Sequence, residues 1–381
     1  MNVGVLAFIA TLVLMIMIHE LGHLLTAKWA KMKVEEYFLG FGPRLFSFKK
    51  GETEYGVKAI LLGGYVRIAG MNPWQPVPDS DVARTFGARP AWQRAIVLSA
   101  GSFTHLVLGF LILTIMYGVV GLQDPSRPKP VIDSVDYVLN GKPGPAKSAG
   151  LKEGDRIVSV DGVTVESWDQ VRSVIRSSAD TAIVFEVERN GAMKKVSVTP
   201  VATDVPVDPQ KPKVTERVGQ VGILPAFQKK RLPPLEAVGQ GFTTTAGVVV
   251  QSVKAIPQIF SPSGLSKVFG ALNDKGTRSV DQPVGPVGIA RVSGQAAAAG
   301  AEELIFVLTF FIVFVGVINL VPLPPFDGGH LLILALEKTF GRKIDMRKVV
   351  PVTSVVLGFF LVLTVTLLYL DIFRPVANPF Q

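Results

Sequence analysis

Four stretches of this chain are nearly unbroken runs of apolar residues: Val3 to Ala27, Ala95 to Leu122, Leu304 to Leu323 and Val349 to Leu370. Each reaches the roughly twenty residues that a helix needs to cross the hydrocarbon of a bilayer, which predicts four transmembrane helices. Between the second and third runs the period changes. Short strand-like segments, Val131 to Val135, Arg156 to Val160 and Ile183 to Val187, alternate with one helix-like segment from Ser167 to Ser177. That stretch is long enough to close a small core of its own, predicting an inserted α+β domain over 127–202.

Two more strands, Thr53 to Ile60 and Tyr65 to Ile68, flank Gly63-Gly64 and predict a membrane-associated β-hairpin within 50–70. Prolines and charges from Thr203 to Pro234 read as a linker. Leu235 to Phe260 is apolar but interrupted by Gln240, Gln251 and Lys254, so it reads as an amphipathic helix on the outer surface and not as a fifth span. The expected fold is a polytopic α-helical membrane protein. Its parts are two spans over 1–124, the inserted domain, a linker with surface helix over 203–300, and two spans over 301–381.

Composition supports this plan: 48% of residues are hydrophobic and only 18% charged, which excludes an ordinary soluble domain for the whole chain. The first run has no basic residue before it and no small-residue cleavage site after it, so it is expected to be a retained span and not a signal peptide. With 0 Cys, disulfides and thiolate metal sites are excluded, leaving His and carboxylates as candidate ligands. The net charge of +9 is not read as a nucleic-acid surface, because the basic residues flank the apolar runs. They crowd the segment from Lys28 to Arg94 and the short loop from Lys338 to Lys348, which makes both loops cytoplasmic and both termini and the inserted domain extracytoplasmic.

Against that background His19-Glu20-Leu21-Gly22-His23, inside the first run, stands out. Ionisable side chains at membrane depth are costly and mark function. On a helix His19 and His23 lie one turn apart on one face, which suits two ligands of one zinc ion, and Glu20 beside them suits a general base towards a metal-bound water. Two such histidines could instead bond neighbouring helices; with 4 His in 381 residues, though, the pattern rarely arises by chance. The third run ends at the same depth in Asn319-Leu320-Val321-Pro322-Leu323-Pro324-Pro325-Phe326-Asp327-Gly328-Gly329, where the prolines break the helix. Asp327, level with the histidines, would supply a third ligand and leave a fourth position for water, as catalytic zinc sites require.

These paired motifs resemble the site-2 protease family, the intramembrane zinc metalloproteases. The similarity extends to Phe41-Gly42-Pro43, Gly63-Gly64-Tyr65-Val66 and Pro283-Val284-Gly285-Pro286-Val287-Gly288, while Pro145 to Asp155 with Asp161-Gly162 resembles the PDZ domains of bacterial proteases. The resemblance implies that His19, His23 and Asp327 bind Zn2+, that Glu20 is catalytic, and that Asn319 steadies the substrate or intermediate. It also implies that the β element with Gly63, Gly64 and Tyr65 holds substrate extended by strand addition. One departure is evident. Where the family commonly has Gly-Pro with Asn three residues on, this chain has Gly101-Ser102-Phe103-Thr104-His105. His105 therefore either contacts substrate backbone in place of that Asn or packs in the bundle; a zinc role is disfavoured because three ligands already complete the set. His330 reads as a polar group near the cytoplasmic interface.

The function these readings predict is regulated intramembrane proteolysis in the bacterial cytoplasmic membrane. Expected substrates are single-pass membrane proteins, such as anti-sigma factors or signal-peptide remnants, with the PDZ domain acting as peptide site or size gate. The rivals are a zinc-binding transporter and a catalytically silent PDZ scaffold, neither of which needs a glutamate locked between two ligand histidines.

Overall fold

The computed structural model describes every residue except 1, 73, 136–137, 140–141, 207–214, 274–277, 280–281, 343 and 381. In chain order the elements are α1 (Val3–Trp29), β1 (Val34–Lys50), β2 (Thr53–Ile68), α2 (Ala91–Ile115), β3 (Leu122–Ser134), β4 (Val138–Leu139), β5 (Lys142–Pro143), α3 (Pro145–Ala149), β6 (Arg156–Val160), β7 (Val163–Thr164), α4 (Trp168–Ser177), β8 (Ile183–Arg189), β9 (Ala192–Val198), β10 (Val201–Pro206), β11 (Thr215–Gln220), β12 (Leu224–Lys230), α5 (Pro234–Ile259), α6 (Pro262–Gly270), α7 (Pro286–Ala299), α8 (Ala301–Ile318), α9 (Asp327–Phe340) and α10 (Val350–Phe373). They divide into two compact units, 1–120 with 232–381 and 121–231.

In the first unit α1, α2, α8 and α10 are long and apolar enough to cross a membrane. Large apolar side chains such as Leu14, Phe103, Phe310 and Val355 face outward, the arrangement that lipid favours and water does not. Where α1, α2 and α8 meet, the residues are small. A Cβ added at Gly22 would lie 2.7 Å from the Ala100 carbonyl oxygen, and one at Gly316 would lie 2.6 Å from Cβ of His105, so these three helices approach as closely as backbone allows. α5 joins them through a stripe of Ala237, Gly241, Thr245 and Ser252, and Tyr117 shares a hydrogen bond of 2.9 Å with Thr244. The helix expected over Leu235 to Phe260 is thus present, and it is anchored to α2 by its small-residue face.

The β element differs from the expected hairpin. β2 runs unbroken through Gly63 and Gly64 and pairs with β1, not with itself; the turn is at Gly51, whose φ of 64° suits the left-handed conformation that glycine adopts freely. Irregular register between Leu39 and Arg44, where Gly40 and Gly42 also have positive φ, lets β1 change neighbours. Leu39 consequently pairs with both Val57 and Gly64, giving a small sheet with the segment 64–68 along one edge. A core of Leu24, Ala27, Met32, Val34, Tyr37, Ile68 and Val97 packs this sheet against the ends of α1 and α2, and Tyr37 Oη donates to the Met17 carbonyl at 2.8 Å.

The second unit is built on a sheet of order β12-β3-β6-β8-β9, with β7 paired to β6. Its core gathers Ile132, Leu151, Ile157, Val160, Val171, Ile175, Phe185 and Val187. The three strands and the helix read from periodicity are all present, and α4 starts on a capping box in which Ser167 accepts from the Gln170 N–H and the Gln170 side chain reaches back. The expected boundary at 202 and the linker after it need correction. β10 pairs with β11, and β12 pairs with β3, so the unit extends to Arg231; residues 207–214 of that stretch lie outside the described residues. The prolines read as a linker, but Pro206 ends the two-stranded β10–β11 ribbon and Pro225 lies on β12, the edge strand of the main sheet, and an end or edge position needs no donor there.

Candidate metal centre

α1 carries His19, Glu20 and His23 on one continuous helix, so the histidines share a face by geometry alone. Asp327 comes from far along the chain. After α8 ends at Ile318 the chain folds back on itself: Gly328 N–H donates to the Asn319 carbonyl at 2.8 Å and Gly329 N–H to the Phe326 carbonyl at 2.9 Å. A Cβ at Gly328 would stand 2.2 Å from the Leu320 oxygen and one at Gly329 2.3 Å from the Pro324 nitrogen, so both glycines are required by this fold-back. Asp327 is thereby set as the first residue of α9, and α9 is pinned to α2 by the Arg94–Glu337 ion pair at 3.1 Å.

Three ligand-type atoms then converge. Nε2 of His19 and Nε2 of His23 are 3.2 Å apart, and Asp327 Oδ2 lies 3.3 Å from the first and 3.4 Å from the second. Four donors each about 2.0–2.1 Å from a zinc ion at tetrahedral angles stand about 3.3–3.4 Å from one another, so this triangle has the size of one face of a zinc site. The chemistry of the donors agrees. His23 Nδ1 is 2.7 Å from the Val97 carbonyl, which can only accept, so the hydrogen is on Nδ1 and the Nε2 lone pair faces the triangle. Asp327 Oδ2 is buried and has no hydrogen-bond donor among the described residues. Electron-rich atoms turned on one another in this way call for a cation between them.

Gly101 of α2 closes the remaining side: an added Cβ would fall 2.5 Å from Cε1 of His19 and 2.6 Å from Nε2 of each histidine. Its place in the Gly101-Ser102 pair was the only signal of this in the sequence. Gly64 borders the centre on the sheet side, where a Cβ would meet Cγ of Glu20 at 3.1 Å and Cγ2 of Ile16 at 2.9 Å. The half-buried edge segment 64–68 therefore runs beside Glu20.

The other expected site residues are less central. The Tyr65 hydroxyl donates to Glu36 at 2.5 Å and its ring stacks on Phe38 and Phe41, which makes its side chain part of the sheet; burial first, then the Glu36 hydrogen bond, push the phenol above its ordinary pKa. Gly63 lies flat against the Phe41 ring. Asn319 serves the fold-back through its carbonyl. His105 is 2% exposed with both ring nitrogens engaged, one by the Ile312 carbonyl at 2.9 Å and one by His19 at 3.1 Å. Both nitrogens thus face groups of the protein, which agrees with packing in the bundle, one of the two alternatives for His105. His330 borders a cavity of about 310 Å3 with Trp74, Pro324 and Val350.

Known proteins of similar sequence are zinc metalloproteases by name. A model of Peptidase family M50 matches residues 7–364. Zinc metalloprotease Rip1 of Mycolicibacterium smegmatis is 30% identical over 96% of this chain and 97% of its own. A putative zinc metalloprotease of Agrobacterium fabrum is 31% identical over 89% of this chain and 88% of its own, and zinc metalloprotease RasP of Geobacillus kaustophilus is 27% identical over 91% and 92%.

Proposed function

The chain belongs to peptidase family M50, the site-2 protease family, and on that premise we propose that it is an intramembrane zinc endopeptidase whose centre is His19, His23 and Asp327 with Glu20 as the catalytic acid–base. The observation that carries the reading is the triangle of two Nε2 atoms and the buried Asp327 Oδ2, sized for zinc, with no hydrogen-bond donor to that Oδ2 among the described residues, at the side of Glu20. Zinc bound there supplies Lewis-acid polarisation of a water and of a peptide carbonyl at neutral pH. Glu20 accepts the proton of the attacking water and returns it to the leaving amine, so that one carboxylate serves both halves of the hydrolysis. His23, oriented by Val97, and Asp327, oriented by the two-glycine fold-back, hold the centre rigid through the reaction.

Substrate is held extended along the free edge 64–68, where main-chain hydrogen bonds act without regard to side-chain identity. That mode uses Gly64 for its lack of a side chain and Tyr65 only for its backbone, and the family resemblance gives Asn319 the role of steadying substrate or intermediate. Substrates are single-pass membrane proteins whose helices unwind onto this edge. The charge distribution supports an orientation in the bacterial inner membrane with loops 28–94 and 338–348 cytoplasmic and the termini outside. By the same rule the inserted unit is extracytoplasmic; its Gly150-Leu151-Lys152-Glu153-Gly154-Asp155 motif supports a PDZ fold, acting as peptide site or size gate.

The test is cleavage of a model transmembrane substrate by purified protein, with zinc content measured in parallel. Glu20→Gln is expected to keep its zinc and lose at least about 100-fold in rate, while His23→Ala loses both zinc and cleavage. Cleavage by Glu20→Gln at the wild-type rate would sink the mechanism; zinc without cleavage of any tested substrate would favour transport or scaffolding.

A further inference from the structure

We propose that His105 is a positioning residue of the metal centre: it accepts a hydrogen bond from Nδ1 of His19 and so holds that ring in the tautomer and orientation whose Nε2 lone pair faces the site. The inference rests on the reading of His19 as a metal ligand. It follows from a chain of donors and acceptors that runs in one direction only. The Ile312 carbonyl of α8 can only accept, so Nδ1 of His105, 2.9 Å away, carries the hydrogen. Nε2 of His105 is then the acceptor, and the group opposite it at 3.1 Å is Nδ1 of His19, which must donate. With its hydrogen on Nδ1, His19 has a lone pair on Nε2, the atom that stands in the triangle with His23 and Asp327.

The arrangement mirrors that of the other ligand. Val97 and His105 lie about two turns apart on α2, and each supplies an outer acceptor for one histidine of α1. The difference is that His23 is held by main chain and His19 by a side chain, so only the second can be removed by substitution. Space for it is specific: Gly316 of α8 leaves no Cβ where one would lie 2.6 Å from Cβ of His105. The proton order starts at a helix carbonyl, so α8, whose fold-back delivers Asp327, also sets the tautomer of His19 through His105.

The test measures zinc affinity, by competition with a chromophoric chelator, for the full-length protein in detergent and its His105→Leu and His105→Gln variants, with thermal unfolding of each metal-free form alongside. His105→Leu is expected to bind zinc about 10–100-fold more weakly. His105→Gln, whose amide oxygen reaches the place of Nε2, is expected to recover most of that loss. Equal affinity in wild type and His105→Leu overturns the proposal, as does an equal loss in both variants. A measurement on the unaltered protein removes any dependence on folding of variants: the ring 15N resonances of His19 in the metal-free protein should show hydrogen on Nδ1, and hydrogen on Nε2 overturns it. Wild type that binds no zinc would overturn the metal-centre reading as well, whereas unchanged affinity in His105→Leu defeats this inference alone.

Discussion

Two aspartates of the helical unit, one fully buried and one half-buried, have opposite surroundings. Asp371, near the end of α10, is 0% exposed and fully answered: its Oδ1 accepts from Arg278 Nη2 at 2.8 Å and its Oδ2 from the Gly288 N–H at 2.7 Å. Arg278 in turn donates to the Arg374 and Pro283 carbonyls at 2.7 and 2.8 Å. Asp327 Oδ2 has no donor among the described residues and faces two imidazole nitrogens. A buried carboxylate that the protein satisfies is a structural latch, and one that it leaves facing lone pairs is built for something absent from the chain. The comparison also explains Pro283-Val284-Gly285-Pro286-Val287-Gly288: Cβ atoms at Gly285 and Gly288 would lie 2.8 and 2.6 Å from the Asp371 carboxylate, so the motif's glycines seat the latch.

Substitution should separate the two. Asp327→Asn is expected to lose zinc and about 10³-fold in cleavage, the several kcal/mol that metal polarisation supplies, yet leave thermal unfolding of the metal-free protein unchanged or raised, because it removes an unanswered buried charge. A variant that is metal-free and also strongly destabilised would erase the distinction. Asp371→Ala should do the reverse. It strands Arg278 in a buried place, costing about 3 kcal/mol in equilibrium unfolding, while zinc bound per folded molecule stays at the wild-type level.

A third carboxylate in the inserted unit gives the smallest and most pH-sensitive effect. Asp155 is 0% exposed; burial alone would raise its pKa, but hydrogen bonds from Arg189 and the Lys152 N–H outweigh it and leave the pKa below the ordinary carboxylate value. A lowered folded-state pKa means stability present above the unfolded pKa of about 3.9 and lost as pH falls through the lower, folded value. Hydrogen exchange of β8 amides should therefore show wild type more protected than Asp155→Asn by a constant margin from about pH 5 to 7, shrinking below about pH 4. A margin that does not change with acid would mean that the pair contributes geometry and not charge.

Much of this was legible from local pattern. The four spans follow from apolar runs, α4 from its period and Ser167, and the His19-Glu20-His23 face from spacing on one helix. What escaped depends on residues distant in sequence. Arg278 and Asp371, 93 positions apart, look like ordinary flanking charges until the fold brings them together. β1 escaped because its partner was sought across the Gly63-Gly64 pair, and the strands after 200 because prolines suggested a linker. His105 showed as a departure from a family pattern with two open meanings; only its two neighbours, one on α1 and one on α8, choose between them.

By itself, then, the sequence determined which segments are apolar enough to enter lipid and which residue types could bind a metal, because those properties belong to single residues and to spacing along one element. The tertiary structure alone decided that Asp327 meets His19 and His23 at zinc-sized distances, that Gly101 and Gly64 leave room beside them, and that a proton order runs from Ile312 through His105 to His19. Those are relations among helices, and a hydrogen bond or a ligand triangle exists only once packing has fixed several backbones to within a few tenths of an ångström.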